Sequence, residues 1–233
     1  MLQPDSGLPD VPLCPAPWNL SGNGWIVALK LPAEHPAQKA FVPDELAGRG
    51  RSLASYLMYV DYAESGCGPY RELLFIPGTF PFQDGRRHLS ISRILVSTWD
   101  SVVNGRNNWG IPKDRADFAV ESGGADGREE CVRVSSDGRE VCELRFARLR
   151  LAPPLPVHAG VVPASLRTLA QRFRDRTYYY APEARGWVRP GRLLSWRFDA
   201  GLFPDLAGAA VVATLRVESF RMTFPVARVV PCA

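Results

Sequence analysis

Short apolar runs, separated by turns rich in glycine and proline, cover most of this chain and limit the folds that it can adopt. The 233 residues include 20 glycines and 21 prolines, which interrupt helices and favour turns. Runs typical of strands lie at residues 25–31, 53–62, 70–76, 88–97, 118–122, 130–135, 139–151, 193–199 and 210–223. The pattern predicts an α+β fold, mainly antiparallel β, with a curved barrel- or cone-like sheet and a few short helices.

Turn and register signals add detail to this prediction. The Ser-Asp-Gly sequence at residues 136–138 predicts a tight hairpin turn. In the following run, 139–151, the apolar residues change from even to odd positions, which predicts a β-bulge near Ala147.

Two segments have helical spacing. Residues 99–106 follow Ser97 and Thr98, either of which is a suitable N-cap, and they predict a short helix. Residues 163–176 carry an apolar stripe opposite several arginines, which predicts a longer amphipathic helix. That stripe is formed by Leu166, Leu169, Ala170 and Phe173.

The length fits a single domain over residues 1–233, with residues 1–16 as an irregular N-terminal arm. This arm is rich in proline and lacks the basic and apolar regions of a signal peptide. The longest apolar run, residues 206–215, is too short to span a bilayer. We therefore expect a cytoplasmic protein that does not bind membranes.

The composition argues against nucleic-acid and metal binding. The net charge is +4, but the arginines are scattered among apolar residues and form no RNA-binding motif. The five cysteines are irregularly spaced without a CxxC pair, and the three histidines are dispersed. We therefore expect no disulfide framework, no metal site and no nucleic-acid partner.

Lys113 is the strongest single clue to chemistry. Only three of the 28 basic residues are lysines, and Lys113 follows the apolar, turn-forming sequence Asn-Trp-Gly-Ile-Pro. Arginine stays protonated in proteins, whereas a buried lysine can become a neutral nucleophile. A free lysine has a pKa of about 10.4, so attack at neutral pH requires a decrease of about 3 to 4 units. Trp109, Ile111 and Phe118 are candidates for desolvating the amine, and Arg106 for a neighbouring charge.

Two considerations act against this interpretation. Asp114 would favour the protonated amine, although adjacent side chains of an extended backbone point to opposite sides, which puts Asp114 outside the pocket. From the spacing alone, Lys113 is more simply a solvated turn residue, or one that extends past an aromatic ring to water.

Several segments resemble one known family. Residues 105–113, Gly-Arg-Asn-Asn-Trp-Gly-Ile-Pro-Lys, are similar to the active-site segment of the acetoacetate decarboxylase family, which runs from Gly-Arg to Pro and a Schiff-base lysine. Residues 68–72, Gly-Pro-Tyr-Arg-Glu, resemble the family's Gly-x-Tyr-x-Glu. Residues 89–97 occupy the place of the strand before the Gly-Arg helix, and residues 220–225 resemble the closing strand. The likeness extends over about residues 17–230, with its strength in residues 68–118.

The resemblance implies a single acetoacetate decarboxylase-like domain and roles for individual residues. Lys113 would be the amine that forms the imine, and Glu72 would position substrate or relay protons. The implied substrate pocket contains Leu95, Arg106, Trp109 and Ile111. Arg106 has the alternative of a structural role, in which its five donors bind loop carbonyls. No cofactor and no metal is implied, and the family likeness suggests a homo-oligomer.

Two departures limit what can be carried over. The family's lysine is followed by a second lysine, where this chain has Asp114. The family also has an arginine near the N-terminal strand that handles the substrate carboxylate, but residues 21–25, Ser-Gly-Asn-Gly-Trp, contain none. Imine chemistry without acetoacetate specificity is compatible with both changes.

The residues and the resemblance leave three hypotheses. The first is a cofactor-independent decarboxylase that acts on a β-keto acid such as acetoacetate through a lysine Schiff base. The second is a Schiff-base aldolase or dehydratase on another oxo acid or ketone. The third is a non-catalytic domain that binds a small ligand, because a fold does not establish an activity.

Overall fold

A computed structural model, which describes residues 5–150 and 153–232, contains sixteen strands and two α-helices in those ranges. The first eight elements are β1 (Trp18–Lys30), β2 (Ser55–Glu64), β3 (Tyr70–Ile76), β4 (Thr79–Pro81), β5 (Arg87–Leu89), β6 (Arg93–Val96), α1 (Trp99–Trp109) and β7 (Lys113–Arg115). The next five are β8 (Asp117–Gly123), β9 (Glu129–Ser136), β10 (Arg139–Arg148), β11 (Leu155–His158) and α2 (Ala164–Arg167). The last five are β12 (Leu169–Phe173), β13 (Arg176–Tyr180), β14 (Glu183–Phe198), β15 (Ala210–Phe224) and β16 (Arg228–Pro231).

The strands form a large curved sheet and a small one. The large sheet has eleven strands in the order β7-β6-β3-β2-β1-β15-β14-β10-β9-β8, with β11 added beside β14. The small sheet has the order β16-β13-β12-β5-β4. Pairing is antiparallel except between β6 and β7 and between β5 and β12. This arrangement confirms the predicted α+β, mainly antiparallel fold with a barrel-like sheet and few helices.

The two faces of strands β1, β2, β3 and β6 pack into different cores because side chains alternate along a strand. Odd-numbered residues such as Leu73 and Leu95 join a core that includes β9 and β10. Even-numbered residues such as Leu74 and Ile94 join a second core, which is shared with α1 and β13. The second core contains the cavity described below.

The prediction of a helix over residues 163–176 is wrong. The structure has only the short helix α2 there, followed by the antiparallel hairpin of β12 and β13. Arg174 and Asp175 form the turn with φ values of 50° and 56°, the conformation that tight hairpins require. Ala170 and Gln171 are both buried although they are adjacent, so β12 is covered on both faces and its apolar spacing resembles that of a helix. The side chain of Leu166 lies outside those that are described.

Other predictions from the sequence agree with the structure or differ from it only slightly. The run at 88–97 is two strands, β5 and β6, because the chain crosses from the small sheet to the large one between them. The helix predicted at 99–106 continues to Trp109, and its N-cap is Thr98. The hairpin turn at 136–138 is confirmed, with positive φ at Asp137 and Gly138. The β10–β14 register shifts between Arg145 and Phe146, next to the predicted bulge at Ala147.

The part of the N-terminal segment that is described lies against α1. Asn104 Oδ1 accepts a hydrogen bond from the backbone N–H of Cys14 at 2.7 Å, and Asn108 Nδ2 donates to the Cys14 carbonyl at 2.8 Å. Asp5 accepts from Arg106 Nη1 at 2.8 Å and from Arg174 Nε at 2.6 Å. The segment is therefore held on the helix by side chains of the helix and of the β12–β13 turn.

Asp5 is expected to make this attachment dependent on pH. The hydrogen bond from Arg174, followed by that from Arg106, lowers the pKa of Asp5, against partial burial that raises it. A carboxylate with a lowered folded-state pKa stabilises the fold above its unfolded pKa of about 4, and this contribution is lost as the pH falls through the folded value. Because the pair is partly exposed, Asp5→Asn should lower the free energy of unfolding by up to about 1 kcal/mol at neutral pH.

Urea unfolding at about pH 7 and about pH 3 measures this effect, since the difference between wild type and Asp5→Asn should shrink at the lower pH. Asp44→Asn, at an exposed turn position, is the matched control for the substitution itself. An equal effect of Asp5→Asn at both pH values would contradict the expectation.

Within the described ranges, neither helix has the length and apolar character needed to cross a lipid bilayer.

Candidate active site

Helix α1 and the turn after it place Lys113. The helix begins where Thr98 Oγ1 accepts a hydrogen bond from the backbone of Ser101 at 3.3 Å, and it ends at Gly110, where φ is 61°. A Cβ atom at Gly110 would lie 2.4 Å from the ring of Tyr178, so both the backbone conformation and the space require glycine. After two further residues the chain enters β7, and Lys113 is its first residue.

The parallel pairing of β7 with β6 decides which side Lys113 faces. Lys113 lies beside Ile94, and Asp114 lies beside Leu95. Since paired residues share a face and adjacent residues do not, Lys113 projects into the second core and Asp114 projects away from it. The structure thus confirms that these two side chains point to opposite sides.

The amine of Lys113 is buried among polar groups. The residue is 3% exposed, and Nζ donates to Glu72 Oε2 at 3.0 Å, to Ser101 Oγ at 2.9 Å and to the Tyr70 hydroxyl at 3.3 Å. Nζ also lies 4.8 Å from the centre of the Tyr70 ring. Lys113 is therefore not the solvated turn residue that the spacing alone favoured. Its contact with the Glu72 carboxylate allows a proton to pass between the two groups.

Two tyrosines extend this network. Tyr62 donates to Glu72 Oε1 at 3.3 Å, and its ring centre lies 4.6 Å from that of Tyr70, its neighbour across the β2–β3 pair. Burial, with the charge of Glu72 as the second cause, raises the pKa of both phenols well above the usual value. Both hydroxyls therefore stay protonated at neutral pH, and that of Tyr62 donates to the carboxylate while that of Tyr70 accepts from the amine.

The position of Gly105 on α1 leaves room for the lysine side chain. A Cβ atom there would lie 2.7 Å from Cδ and 2.8 Å from Cε of Lys113. Ser101, one turn earlier on the same helix face, then meets the amine. The spacing of serine and glycine on α1 thus sets the path of Lys113 toward Glu72.

Gly105→Ala is expected to displace the amine. The added methyl group occupies the path of the Lys113 side chain, and a reacting group displaced by about 1 Å loses roughly a hundredfold in rate. We expect adduct formation with an oxo compound, measured by borohydride trapping, to fall by about that factor. Gly123→Ala is the control, because a Cβ there meets nothing within 4 Å. Equal trapping rates for both variants would show that Gly105 has no role in positioning Lys113.

Lys113 and Glu72 line a cavity of about 270 Å³. Most of the lining is apolar and comes from the even-numbered face of β1, β2, β3 and β6, from α1, and from β14 and β15. The side chains that line it near the network and beyond include Trp18, Leu20, Met58, Val60, Leu74, Ile94, Trp109, Ile111, Val217, Phe220, Met222 and Phe224. Trp109 and Ile111 are therefore among the residues that line the cavity beside Lys113.

Leu95 does not line this cavity, which corrects the expectation from the sequence. It pairs with Leu73 in the antiparallel β3–β6 ladder and is fully buried in the first core. Glu72 and Ile94 belong to the opposite face, and Ile94 takes the lining position. Phe118 also packs into the first core, against Tyr59, and does not desolvate Lys113.

Arg106 lies behind the cavity wall and has the structural role that the sequence left open. It is fully buried, and Nε and Nη2 donate to the carbonyl of Lys113 at 2.9 and 2.8 Å. Nη2 also donates to Asp114 Oδ1 at 2.9 Å, and Arg93 forms a second ion pair with Asp114. These contacts fix the backbone of Lys113 and hold the Asp114 carboxylate between two guanidinium groups.

Residues 21–25, which lack the family's arginine, belong to strand β1. Gly24 of β1 lines the cavity, while Asn23 Oδ1 accepts from the backbone of Ser219 at 3.0 Å. Within residues 5–150 and 153–232, Lys113 and Arg167 are the only cationic residues that line the cavity.

No group of three or more His, Cys, Asp or Glu side chains is placed to hold a metal ion in the described parts of the chain.

Sequence reasoning assigned no role to Tyr62, Tyr70, Ser101 or Gly105. Tyr70 lies in the Gly-x-Tyr-x-Glu segment and Gly105 in the Gly-Arg to Pro-Lys segment, so both could have been identified from the family resemblance. Ser101 was detectable as the residue one helical turn before Gly105. Tyr62 depends on the register of β2 with β3, which the sequence does not display.

The sequence matches no protein-family model and no curated protein. Solved structures do resemble the fold. An acetoacetate decarboxylase-like enzyme from Sphingomonas wittichii superposes with a TM-score of 0.67 at 14% identity, over 94% of each chain. The acetoacetate decarboxylase from Legionella pneumophila gives a TM-score of 0.65 at 14% identity, over 97% of this chain and 92% of that one.

A third similar structure is the enduracididine biosynthesis enzyme MppR, complexed with the condensation product of pyruvate and imidazole 4-carboxaldehyde. It superposes with a TM-score of 0.64 at 19% identity, over 94% of this chain and 91% of that one. At these identities the likeness concerns the fold. The chain has the fold of acetoacetate decarboxylase and of enzymes like it, which confirms the resemblance noted in the sequence.

Proposed function

We propose that this chain is a cofactor-independent enzyme that activates the carbonyl group of an oxo compound as an imine on Lys113. One observation carries the proposal: the amine is buried on the wall of an apolar cavity, 3.0 Å from a carboxylate with which it can exchange a proton. An amine in such a place meets a carbonyl compound with little competing water. The similar structures, which are enzymes of this fold, support the proposal.

The first candidate reaction is decarboxylation of a β-keto acid such as acetoacetate, which makes the enzyme a carbon–carbon lyase. The neutral amine of Lys113 adds to the ketone carbon, and loss of water gives an iminium ion. The bond to the carboxylate then breaks, its electron pair moves to the iminium nitrogen to give an enamine, and carbon dioxide leaves. Protonation of the enamine carbon and addition of water release the ketone and the free amine. The apolar cavity favours the step, because charge is dispersed as the carboxylate leaves.

Glu72 is the proton carrier in this scheme. It accepts the proton of the Lys113 ammonium before attack, and it returns a proton to the departing hydroxyl or to the enamine carbon. Its contacts with the Lys113 amine and with the Tyr62 hydroxyl put both exchanges within hydrogen-bond reach. Tyr62, as a donor, orients the carboxylate, and Tyr70, as an acceptor, orients the amine.

A second candidate is an aldol-type condensation or dehydration on another oxo acid or ketone, which uses the same imine. The orientation of Asp114 favours it: where the family has a second lysine, this chain has a carboxylate held outside the cavity by Arg93 and Arg106. No second cation therefore stands beside Lys113 from that position. The MppR structure is complexed with a condensation product of pyruvate, which is chemistry of this second kind.

Borohydride trapping separates these candidates from a domain that only binds a ligand. The protein is incubated with acetoacetate, pyruvate or a diketone, then reduced, and the adduct is mapped by mass spectrometry. We expect a covalent adduct at Lys113 that is absent in Lys113→Ala, and release of carbon dioxide from acetoacetate identifies the first candidate. A folded wild-type protein that gives no adduct with any carbonyl compound would overturn the proposal in favour of ligand binding.

The single domain over residues 1–233, the cytoplasmic location and the homo-oligomer stay predictions. Size-exclusion chromatography with light scattering measures the oligomeric state directly.

A further inference from the structure

The cavity is large for the small keto acids considered above. Its volume is about 270 Å³, whereas an apolar protein cavity of about 150 Å³ already binds benzene and stays dry otherwise. A compact keto acid at Lys113 would leave much of an apolar cavity unfilled. Empty apolar space loses dispersion contacts, so an occupant that fills it binds more tightly.

The cavity wall has the chemistry of an aromatic or branched apolar ligand. The aromatic residues that line it beyond the polar network are Trp18, Trp25, Tyr59, Trp109, Phe220 and Phe224. Met58 and Met222 add flexible thioether side chains, which adapt to irregular apolar shapes. The polar lining groups Tyr62, Tyr70 and Glu72 are gathered at Lys113.

The cavity wall offers few partners for a charged substituent of the ligand. Among the lining residues in the described ranges, only Lys113, Glu72 and Arg167 carry full charges, and the first two are paired with each other. Four of the five Arg167 N–H groups already donate to the protein. Their acceptors are the carbonyls of Val162, Ala181 and Pro182 and the carboxylate of Glu183. A substrate anion remote from Lys113 would therefore be buried without a dedicated partner, which is unfavourable.

We propose that the carbonyl compound that reacts at Lys113 carries an uncharged aromatic or branched apolar substituent, which occupies the remainder of the cavity. The inference rests on the proposed function for the identity of the reacting amine. It applies to either candidate reaction, because both form the same imine on Lys113.

Two methyl ketones test the proposal. Benzylacetone and acetone present the same reacting group, and only benzylacetone carries a phenyl ring. We expect borohydride trapping at Lys113 to be about tenfold to a hundredfold faster with benzylacetone at equal low concentrations, after correction for the reactivity of each ketone with a free lysine derivative. Butylbenzene, which has no carbonyl group, should compete with benzylacetone for the cavity.

The outcomes distinguish this inference from the proposed function. Equal trapping of both ketones, without competition by butylbenzene, would overturn the proposal of an apolar substituent and leave the imine chemistry intact. Binding of butylbenzene without an adduct from either ketone supports the apolar ligand class and removes the imine chemistry.

A variant checks where the phenyl ring lies. Ala184 of β14 lines the cavity, and Ala184→Phe is expected to remove at least half of the preference for benzylacetone by filling that space. Ala47→Phe, in an exposed turn, makes the same substitution outside the cavity and should keep the full preference. An unchanged preference in folded Ala184→Phe would place the ring elsewhere and contradict the proposal.

Discussion

Lys113→Arg is expected to abolish turnover of any oxo compound that forms an adduct with the wild-type protein. Arginine keeps the positive charge next to Glu72, but its guanidinium group stays protonated and forms no imine. Removal of a covalent nucleophile lowers kcat by roughly four to six orders of magnitude in well-studied enzymes. Steady-state kinetics and borohydride trapping measure the loss.

Lys39→Arg is the matched control for this substitution. Lys39 is exposed and paired with Glu34, so the same change there should leave both the kinetics and the adduct unaltered. Comparable thermal unfolding of the two variants shows whether the fold is intact. If folded Lys113→Arg retained turnover, imine formation at residue 113 would be excluded as the basis of activity.

Glu72→Gln is expected to separate proton transfer from adduct formation. The amide has nearly the same shape and can still accept the hydrogen bond from Tyr62, but it cannot take a proton from the amine. General acid–base catalysis contributes about 10²–10⁴-fold, and kcat should fall within that range. The borohydride adduct at Lys113 should still form after long incubation, because the amine remains in the cavity.

Glu64→Gln provides the comparison. Glu64 is exposed on strand β2, and its carboxylate accepts a hydrogen bond from the Ser21 hydroxyl. Its kinetics should match those of the wild type. A Glu72→Gln enzyme with unaltered kcat would assign the proton transfers to another group, with Ser101 and Tyr70, which also contact the amine, as the nearest alternatives.

The sequence predicted the local strand structure better than it predicted the late part of the chain. The run at 70–76 is a strand with the same bounds, because a short apolar run after a glycine turn is typical of a strand that is buried on both faces. The prediction of a helix over residues 163–176 was wrong because Leu169, Ala170 and Phe173 have helical spacing although they lie in a strand that is covered on both faces. Only the pairing with β13 decides between the two conformations, and pairing is a tertiary property.

The candidate site shows the same division. Lys113 was singled out by its rarity and its apolar approach, whereas Glu72 came from the family resemblance. Their contact depends on the β3–β6–β7 order, which brings residues 41 positions apart to 3.0 Å. Leu95 was misplaced because the face of β6 that meets the cavity is set by its register with β3, and a shift of one residue exchanges the faces.

The pairing of β7 with β6 also makes this segment sensitive to chain length. Lys113 and Asp114 are neighbours whose surroundings are opposite, one beside a carboxylate and the other between two guanidinium groups. Deleting one residue from the turn that follows Gly110 would move Asp114 into the place of Lys113 and Arg115 into the place of Asp114. A carboxylate would then face Glu72 and a third arginine would face Arg93 and Arg106, so like charges would meet on both sides of the sheet. We therefore expect insertions and deletions in this turn to disrupt the site more than most single substitutions there.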